Sequence, residues 1–354
     1  MGCAFLYENF VEAAAVEVSS FRPGVVGRAA AEAVGSAVCY GSGEHLGPKD
    51  QLFTIEIDSV AAGTQVGEAT FRWRRDSDSS WQASGIPTVS QPVELADGVK
   101  VHWLPGPGQH FALGDRWSLL AVTPHGPGAL VDWDRDSYWE ATGCTSEYVE
   151  VDLGEAKVVE AAVVSDHNLS PAASVVLKAS DTRDWQSPEW SLELDPTREQ
   201  MLALPGVGRR YWRVEIADPD NPQGVVRLGG MYLGRAFRPS RGFSAGYTCA
   251  TVAARGMVST DAGKMSGWTR GLGQVVELVF PRLEEADVQG FEEMFRSVHQ
   301  PATGRLKPVW FVGFVEEPAW ILCCMLPPQL TRVARAQGRW DVRLQLREVP
   351  RTNA

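Results

Sequence analysis

The feature that most constrains this chain is the pattern of its apolar segments, which are short and separated by turn formers. Leu52–Ile57, Tyr148–Leu153 and Trp340–Arg347 alternate apolar with polar residues in period two, as half-buried strands do. The chain also contains 35 Gly and 22 Pro, residues that favour turns between strands. We therefore predict a mostly β fold, built of several antiparallel β-sandwiches.

One segment departs from this pattern. Pro281 and the acidic residues that follow it are typical of the first turn of a helix. Apolar residues then recur at helical spacing, at Leu283, Val288, Phe291, Phe295 and Val298. This pattern predicts one main helix with an apolar face, within a C-terminal α+β region.

The chain has 354 residues, which is too many for one ordinary domain. Changes in pattern suggest an N-terminal β-domain over 1–128, a β-sandwich over 129–234 and an α+β assembly domain over 235–354. The N-terminal domain begins with two short apolar segments, Phe5–Phe10 and Glu17–Phe21, which we interpret as an arm or an edge segment.

Charge limits the kind of partner. The net charge of −11 argues against nucleic acid as a ligand. Residues 1–235 carry 18 basic and 33 acidic side chains, whereas residues 236–354 carry 15 and 11. Such asymmetry is typical of a molecule whose two ends face different surroundings, for example other copies of the same chain. Two unrelated domains with different surface charge would give the same asymmetry.

Neither membrane insertion nor secretion is expected. The most apolar stretch, Val309–Leu326, contains Gly313, two glutamates and Pro318, so we interpret it as a strand pair that turns at 316–318 rather than as a membrane span. Six scattered cysteines lack the spacing of a zinc site and indicate assembly in a reducing compartment.

Two segments resemble catalytic or metal sites only in part. Asp132-Trp-Asp-Arg-Asp136 places carboxylates at alternate positions, as a calcium loop does, but the Gly and Glu of an EF-hand are absent, and a solvated acidic turn is favoured.

Gly242-Phe-Ser-Ala-Gly246 matches the nucleophile elbow of serine hydrolases, yet β-branched residues follow Ser244 where a helix is needed. We predict no enzymatic activity, no metal and no cofactor, and retain a hydrolase using Ser244 as a remote alternative.

Five residues are candidate contacts for a glycan. Asp166, His167 and Asn168 follow an apolar strand and offer donors and acceptors to sugar hydroxyls, although a turn bonded to its own backbone explains them as well. Trp185 and Trp190 lie in a Ser-, Asp- and Pro-rich segment. They could stack on sugar rings or pack over the edge of a sandwich.

The central part of the chain resembles the discoidin-like β-sandwich, the C-terminal type of domain in coagulation factors. Order and spacing both match, over about 100 residues, at Asp132–Trp139, Tyr148–Gly154, Val163–Leu169, Val176–Asp181 and Arg210–Ile216. The resemblance implies a jelly-roll sandwich that binds glycans or membranes through loops at one end. The chain lacks an obvious cysteine pair closing this fold, as suits a version made in a cytoplasm.

The flanking parts are similar to proteins of bacteriophage tails. Within the central part, His167–Ser170 has a form found in such proteins. The N-terminal part is similar to β-domains of phage virion proteins at Asp50–Ile57, Gly67–Arg74, Gly98–Trp103 and Phe111–Trp117, and the C-terminal part looks like a tail-tube or tail-tip assembly domain.

These resemblances imply a structural component of a phage or prophage-derived tail, of the distal-tail or baseplate type. It would form a homo-oligomeric ring in the virion tail, after assembly in the host cytoplasm, and contact other tail proteins. Its discoidin-like domain would face outward, for decoration or for contact with host surface glycan. The alternative is a carbohydrate-binding host-receptor protein of the tail.

Overall fold

The structure, a computed structural model, describes residues 2–259, 265–300, 305–316 and 320–350. These residues contain one α-helix, α1 (Glu285–Val298), and three short 3₁₀-helices (Phe10–Ala13, Pro127–Leu130 and Ala336–Gly338). The strands are β1 Ala4–Asn9, β2 Ala15–Val18, β3 Gly24–Glu32, β4 Val38–Ser42, β5 Glu44–His45, β6 Gln51–Ser59, β7 Thr70–Arg75, β8 Ala83–Pro87, β9 Val93–Ala96, β10 Val99–Leu104, β11 Arg116–Val122, β12 Trp139–Glu140, β13 Glu147–Val159, β14 Ala161–His167, β15 Ser174–Ser180, β16 Trp190–Leu194, β17 Gln200–Ala203, β18 Val207–Ala217, β19 Arg227–Phe237, β20 Thr248–Ser259, β21 Met265–Leu283, β22 His299–Gln300, β23 Arg305–Leu306, β24 Val309–Val312, β25 Ile321–Met325, β26 Thr331–Ala334 and β27 Trp340–Glu348.

The prediction of a mostly β fold with several antiparallel sheets and one helix is confirmed. No helix among the described residues is long and apolar enough to cross a membrane. The predicted strand pair near Val309 forms as β24 and β25, which are antiparallel. Its turn was predicted at 316–318, of which 317 and 318 lie outside the described residues.

The chain divides into two compact units. The large unit comprises Met1–Ser19, Leu130–Tyr138 and Gly143–Ala354, and the small unit comprises Ser20–Ala129 and Trp139–Thr142. The predicted boundary between 128 and 129 falls in the 3₁₀-helix Pro127–Leu130, and that between 234 and 235 falls inside β19. The division into three domains stays a prediction.

The small unit contains two sheets, ordered β5-β3-β11-β6-β7-β8 and β4-β10-β9. Alternate residues of β6, namely Phe53, Ile55 and Ile57, are buried as their period-two spacing predicts. They join one hydrophobic cluster with large rings that include Phe71, Trp103 and Trp117. This aromatic cluster is the core of the unit.

The large unit also contains two main sheets. The long sheet runs β17-β14-β19-β1-β24-β25-β27-β21-β20, with β26 beside β27, and the five-stranded sheet runs β16-β15-β18-β13-β2. Strands of the predicted central and C-terminal parts therefore share the long sheet.

Of the two N-terminal segments that we interpreted as an arm or an edge segment, Phe5–Phe10 overlaps β1, a central strand of the long sheet. The second overlaps β2, which lies at the edge of the five-stranded sheet. β1 pairs with β19 on one side and with β24 on the other, so that Phe5 lies opposite both Phe237 and Phe311. Side chains of a strand alternate between its two faces. Phe5 accordingly joins the cluster under α1, whereas Ala4 and Leu6 join a second cluster with Val163.

Helix α1 begins at Glu285 rather than at Pro281, because β21 continues through Leu283. The carboxylate of Asp287 accepts a hydrogen bond from the Glu284 N–H at 3.2 Å, which caps the first turn. The predicted apolar face is buried at Val288, Phe291 and Val298. This face holds the helix against the long sheet, in the same cluster as Phe5.

Candidate functional site

Asp166, the first predicted glycan contact, is paired with a buried arginine. Its carboxylate accepts hydrogen bonds from Nη2 of Arg135 at 2.9 Å and from Nε at 3.2 Å. Both side chains are less than a tenth exposed. Arg135 also donates to the carbonyl of Val349 at 3.2 Å and pairs with Glu348. Arg135 therefore links Asp166 of β14 to the C-terminal end of β27.

The next two predicted contacts are also bonded within the chain. Nε2 of His167 donates to the carbonyl of Arg198 at 2.8 Å, and Nδ1 accepts from the N–H of Leu169 at 3.2 Å. The amide of Asn168 donates to the carbonyl of Val225 at 2.8 Å and accepts from the N–H of Arg227 at 2.8 Å. Asp166 and His167 are the last residues of β14 rather than part of a loop, and only Asn168 follows the strand. All three form a structural corner, and their contact with a ligand stays a prediction.

The two predicted tryptophans have different surroundings. Trp190 lies on β16 and packs on the buried ring of Trp212, with 5.7 Å between ring centroids. Trp185 lies in the loop before β16, partly buried, with the guanidinium of Arg213 5.6 Å from its ring. The same guanidinium covers the ring of Tyr148 at 3.8 Å. Both tryptophans are partly buried, but Trp190 packs on a core ring of the sandwich whereas Trp185 lies in a loop beside Arg213.

The calcium-like and hydrolase-like segments form turns and a loop. The N–H of Asp134 donates to Asp132, and the N–H of Asp136 donates to Asp134, so two of the carboxylates stabilise the turn. Burial raises the pKa of Asp132. No group of three metal-binding side chains occurs among the described residues. Ser244 lies between β19 and β20, bonded through its N–H to the carbonyl of Val279, and a strand follows it rather than a helix.

One groove that the sequence did not predict is a candidate site. We call it the Arg235 groove; its volume is about 570 Å³, which is in the range of small-ligand sites. It is built by β1, the first 3₁₀-helix, the end of β13, β19 and α1. Its lining residues are Tyr7, Glu8, Phe10, Lys157, Val158, Glu160, Arg235, Ala236, Phe237, Gly290 and Glu293.

Arg235 is the polar centre of the groove. Its guanidinium lies 3.4 Å from Glu8 and 3.2 Å from Glu293, and all three side chains are about half exposed or more. A hydrogen bond with Tyr7 and the nearby carboxylates raise the pKa of Arg235. Burial raises the pKa of Tyr7, whose hydroxyl donates to Oε1 of Glu293 at 3.4 Å. Ion pairs this exposed stabilise a fold by only about 0–1 kcal/mol, so a ligand can replace them at little cost.

Rings and one aliphatic side chain form the apolar part of the groove. The ammonium group of Lys157 lies 5.5 Å from the ring of Phe10, and the neighbouring Val158 is 57% exposed. Gly290 lets α1 approach the sheet closely, since a Cβ there would lie 2.3 Å from the ring of Phe237. The groove thus combines ring surfaces with exposed donors and acceptors.

No sequence signal identifies these residues as a set. They come from four segments separated by more than fifty residues each, and every one has an ordinary role in its own element. The one local hint is Gly290, a glycine inside a predicted helix, which indicates a close approach by another element.

Comparison with known proteins finds no matching family model and no matching curated sequence. Among solved structures, the chain is distantly similar to an F-lectin (fucolectin) from striped bass (Morone saxatilis) serum, with 8% identity, a TM-score of 0.26, and coverage of 64% of this chain and 97% of the lectin.

Two further structures match about a third of the chain. One is a chitosan-binding module of a Paenibacillus chitosanase/glucanase, with 14% identity, a TM-score of 0.25, and coverage of 32% of this chain and 86% of the module. The other is a GH29 fucosidase from Ruminococcus gnavus in complex with fucose, with 14% identity, a TM-score of 0.27 and coverage of 33% of this chain. The chain spans only 23% of the fucosidase's length.

Proposed function

We propose that this chain is a carbohydrate-binding protein and that the Arg235 groove holds the sugar. The observation that carries the proposal is the position of ring surfaces beside exposed, weakly paired polar groups. A sugar ring has an apolar face that packs on aromatic rings, and its hydroxyls both donate and accept hydrogen bonds. Phe10 and Tyr7 offer the rings, while Arg235, Glu8 and Glu293 offer complementary donors and acceptors.

The charges of the groove favour a neutral sugar over a phosphorylated ligand. Three carboxylates, on Glu8, Glu160 and Glu293, face two cations, on Lys157 and Arg235. Because the carboxylates outnumber the cations, the groove has no surplus positive charge to attract a polyanion. An open groove of this kind suits a dissociation constant near 1 mM, or about −4 kcal/mol. Several linked copies would raise the effective affinity.

Arg235→Ala tests this proposal in the full-length protein. We expect a glycan array, followed by calorimetric titration with the best-binding saccharide, to report at least tenfold weaker binding. Arg296→Ala is the matched control, because Arg296 is an exposed arginine of α1 that pairs with Glu292 and does not line the groove. Equal binding by the wild type and Arg235→Ala, or no glycan binding by the wild type, would contradict the proposal.

We further propose that the protein is a self-associating component of a phage or prophage-derived tail, of the distal-tail or baseplate type. The observation that favours self-association is strand β20, which ends the long sheet. Residues Thr248–Ala253 of β20 are exposed, apart from the partly buried Val252, and carry no charge. An exposed, uncharged stretch of an edge strand is a template for pairing with another chain.

The charge difference between the two ends of the chain supports the same proposal, since it would orient one copy against the next. In this proposal the protein assembles in the host cytoplasm, resides in the virion tail, contacts other tail proteins and has neither enzymatic activity nor a cofactor. Labelling of Ser244 by a fluorophosphonate would instead support the hydrolase alternative.

A lysine on the edge strand tests self-association. We expect light scattering to report an oligomer for the wild type and a smaller species for Thr251→Lys, because a charge on an edge strand blocks pairing. Val333→Lys is the control, since β26 is an exposed strand that already carries Arg332. If Thr251→Lys keeps the wild-type size, or if the wild type is a monomer, association through β20 is wrong.

A further inference from the structure

A second open pocket, in the C-terminal part of the large unit, is lined mainly by arginine. We call it the arginine pocket; its volume is about 750 Å³, which is in the range of small-ligand sites. It is formed by the end of β21, the turn between β26 and β27, and the segment between β19 and β20. Four of its eight lining residues are arginines, Arg241, Arg282, Arg335 and Arg339, and one is an acid, Asp341.

The acidic groups at this pocket are already occupied. The carboxylate of Asp341 accepts hydrogen bonds from Nε of Arg335 at 2.8 Å and from the N–H of Arg282 at 3.0 Å, and these bonds lower its pKa. Arg339 pairs with Glu284, which does not line the pocket and whose side chain is 62% exposed. Asp341 is therefore ionised and held in the wall, where it neutralises one guanidinium group.

The positive charge at the pocket exceeds the negative charge. Among the described residues, the guanidinium groups of Arg241 and Arg282 have no ion-pair partner, and both residues are exposed. With Asp341 and Glu284 both counted, four cations face two carboxylates. This surplus attracts anions, and it is the reverse of the balance in the Arg235 groove.

The backbone at the pocket is unusual on two of its walls. Arg282 has a φ of +54° and lies where the register between β21 and β27 shifts, between Phe280 and Leu283. Gln337, in the turn between β26 and β27, has a φ of +61°. Non-glycine residues in the left-handed region store strain, and such residues cluster at functional sites. In this bulge the N–H of Arg282 is bonded to Asp341, which leaves its guanidinium group available to a ligand.

The other unpaired arginine, Arg241, lies between two anchored residues. The N–H and the hydroxyl of Ser240 donate to the carboxylate of Asp287, at 2.8 and 2.6 Å. Three residues after Arg241, the N–H of Ser244 donates to the carbonyl of Val279 at 2.8 Å. Because the main chain is held on both sides of Arg241, less ordering is needed when this residue binds a ligand.

We propose that the arginine pocket binds an oxyanionic ligand, one that presents phosphate, sulfate or carboxylate groups. A guanidinium group can donate two parallel hydrogen bonds to such a group. The lining residues other than the arginines and Asp341 are Pro281, Ala336 and Gln337, so the described lining offers no aromatic ring for a base or for the apolar face of a sugar. The inference is independent of sugar binding in the Arg235 groove. A free anion and the acidic side chains of a second copy would both supply this chemistry.

Calorimetric titration of the full-length protein with inorganic phosphate and with citrate, at constant ionic strength, tests the pocket. For the wild type we expect saturable binding with a dissociation constant near 1 mM. Arg241→Gln and Arg282→Asn should each bind about tenfold more weakly, because each loses a charged hydrogen-bond donor. Asparagine tolerates the left-handed conformation, so Arg282→Asn keeps the backbone of the bulge. Arg296→Gln is the matched control, because Arg296 is an exposed arginine of α1 that does not line the pocket.

The pocket is not an anion site if the wild type shows no saturable binding, or if the variants melt at the wild-type temperature and bind as tightly as the wild type does. If one variant fails to fold, the other decides the matter. Light scattering with and without phosphate then distinguishes the two sources. If phosphate converts an oligomer into a smaller species, the ligand is the acidic surface of a second copy; if the size stays the same, the ligand is a free anion.

Discussion

The predicted loop at Asp166–Asn168 and the Arg235 groove contain similar polar groups in different environments. In this segment, Asp166 pairs with an arginine that is less than a tenth exposed, and Asn168 is bonded to main-chain groups. In the groove, Arg235 and its partners are about half exposed or more. Because the first set is buried, the fold depends on its hydrogen bonds. Because the second set is exposed to solvent, a ligand can replace its ion pairs at little cost. The accessibility of a polar group, more than its type, decides whether it can serve a ligand.

The largest expected effect comes from breaking the buried pair. Arg135→Met leaves the Asp166 carboxylate buried without its main partner, which typically costs about 3–5 kcal/mol. Urea unfolding should report this loss as a much lower midpoint. A midpoint within error of the wild type would mean that Asp166 is accessible to water, and that the contrast with the groove is wrong.

The next largest expected effect is a difference in stability between variants of the two predicted tryptophans. Trp190→Ala removes a ring that packs on Trp212 and should lower stability by about 2–4 kcal/mol. Trp185→Ala removes a ring in a loop and should cost less than about 1 kcal/mol. Thermal melts of the two variants, read side by side, check this order; equal losses would place both rings in the packing of the sandwich.

Arg235→Ala should have little effect on stability, in contrast to its effect on sugar binding. Its ion pairs are exposed, so their loss should cost at most about 1 kcal/mol. The same urea experiment as for Arg135→Met measures it. A loss as large as that of Arg135→Met would make Arg235 a structural residue and remove the distinction between the two regions.

The smallest effect concerns pH. Hydrogen bonds from Arg210 hold the pKa of Asp152 at about 2, below the value of about 3.9 in an unfolded chain. The stability from this partly exposed pair is therefore present above about pH 4 and is lost as the pH falls toward 2. The melting temperatures of the wild type and Asp152→Asn should differ slightly at pH 6 and converge near pH 2. If the two melting temperatures still differ at pH 2, the difference does not come from the charge of Asp152.

The strand prediction held where one face of a strand is buried in its own unit. Alternation at Leu52–Ile57 correctly identified Phe53, Ile55 and Ile57 as core. The same pattern is missing from Phe5–Phe10, which we interpreted as an arm or an edge segment, because this segment is short and its apolar residues do not alternate. Such a segment fits an exposed arm as well as a central strand, and only its two neighbours in the sheet distinguish them.

The site was less predictable than the fold. Asp166, His167 and Asn168 carry the groups that a sugar needs, but the sequence does not reveal that Arg135, Arg198 and Arg227 lie within bonding distance of them. Trp185 and Trp190 are equally indistinguishable by sequence. Their difference comes from Trp212, which reaches Trp190 across paired strands.

The sequence by itself determined the class of fold, the one helix and the buried face of many strands, because these follow from the spacing of apolar residues along a local element. Only the tertiary structure decided which strands are neighbours and which polar groups are accessible. Tyr7 and Glu293 meet in one groove although they are far apart in the chain, since β1 pairs with β19 and contacts α1. Pairing over such distances depends on how well whole surfaces pack, and no local pattern of residues encodes that.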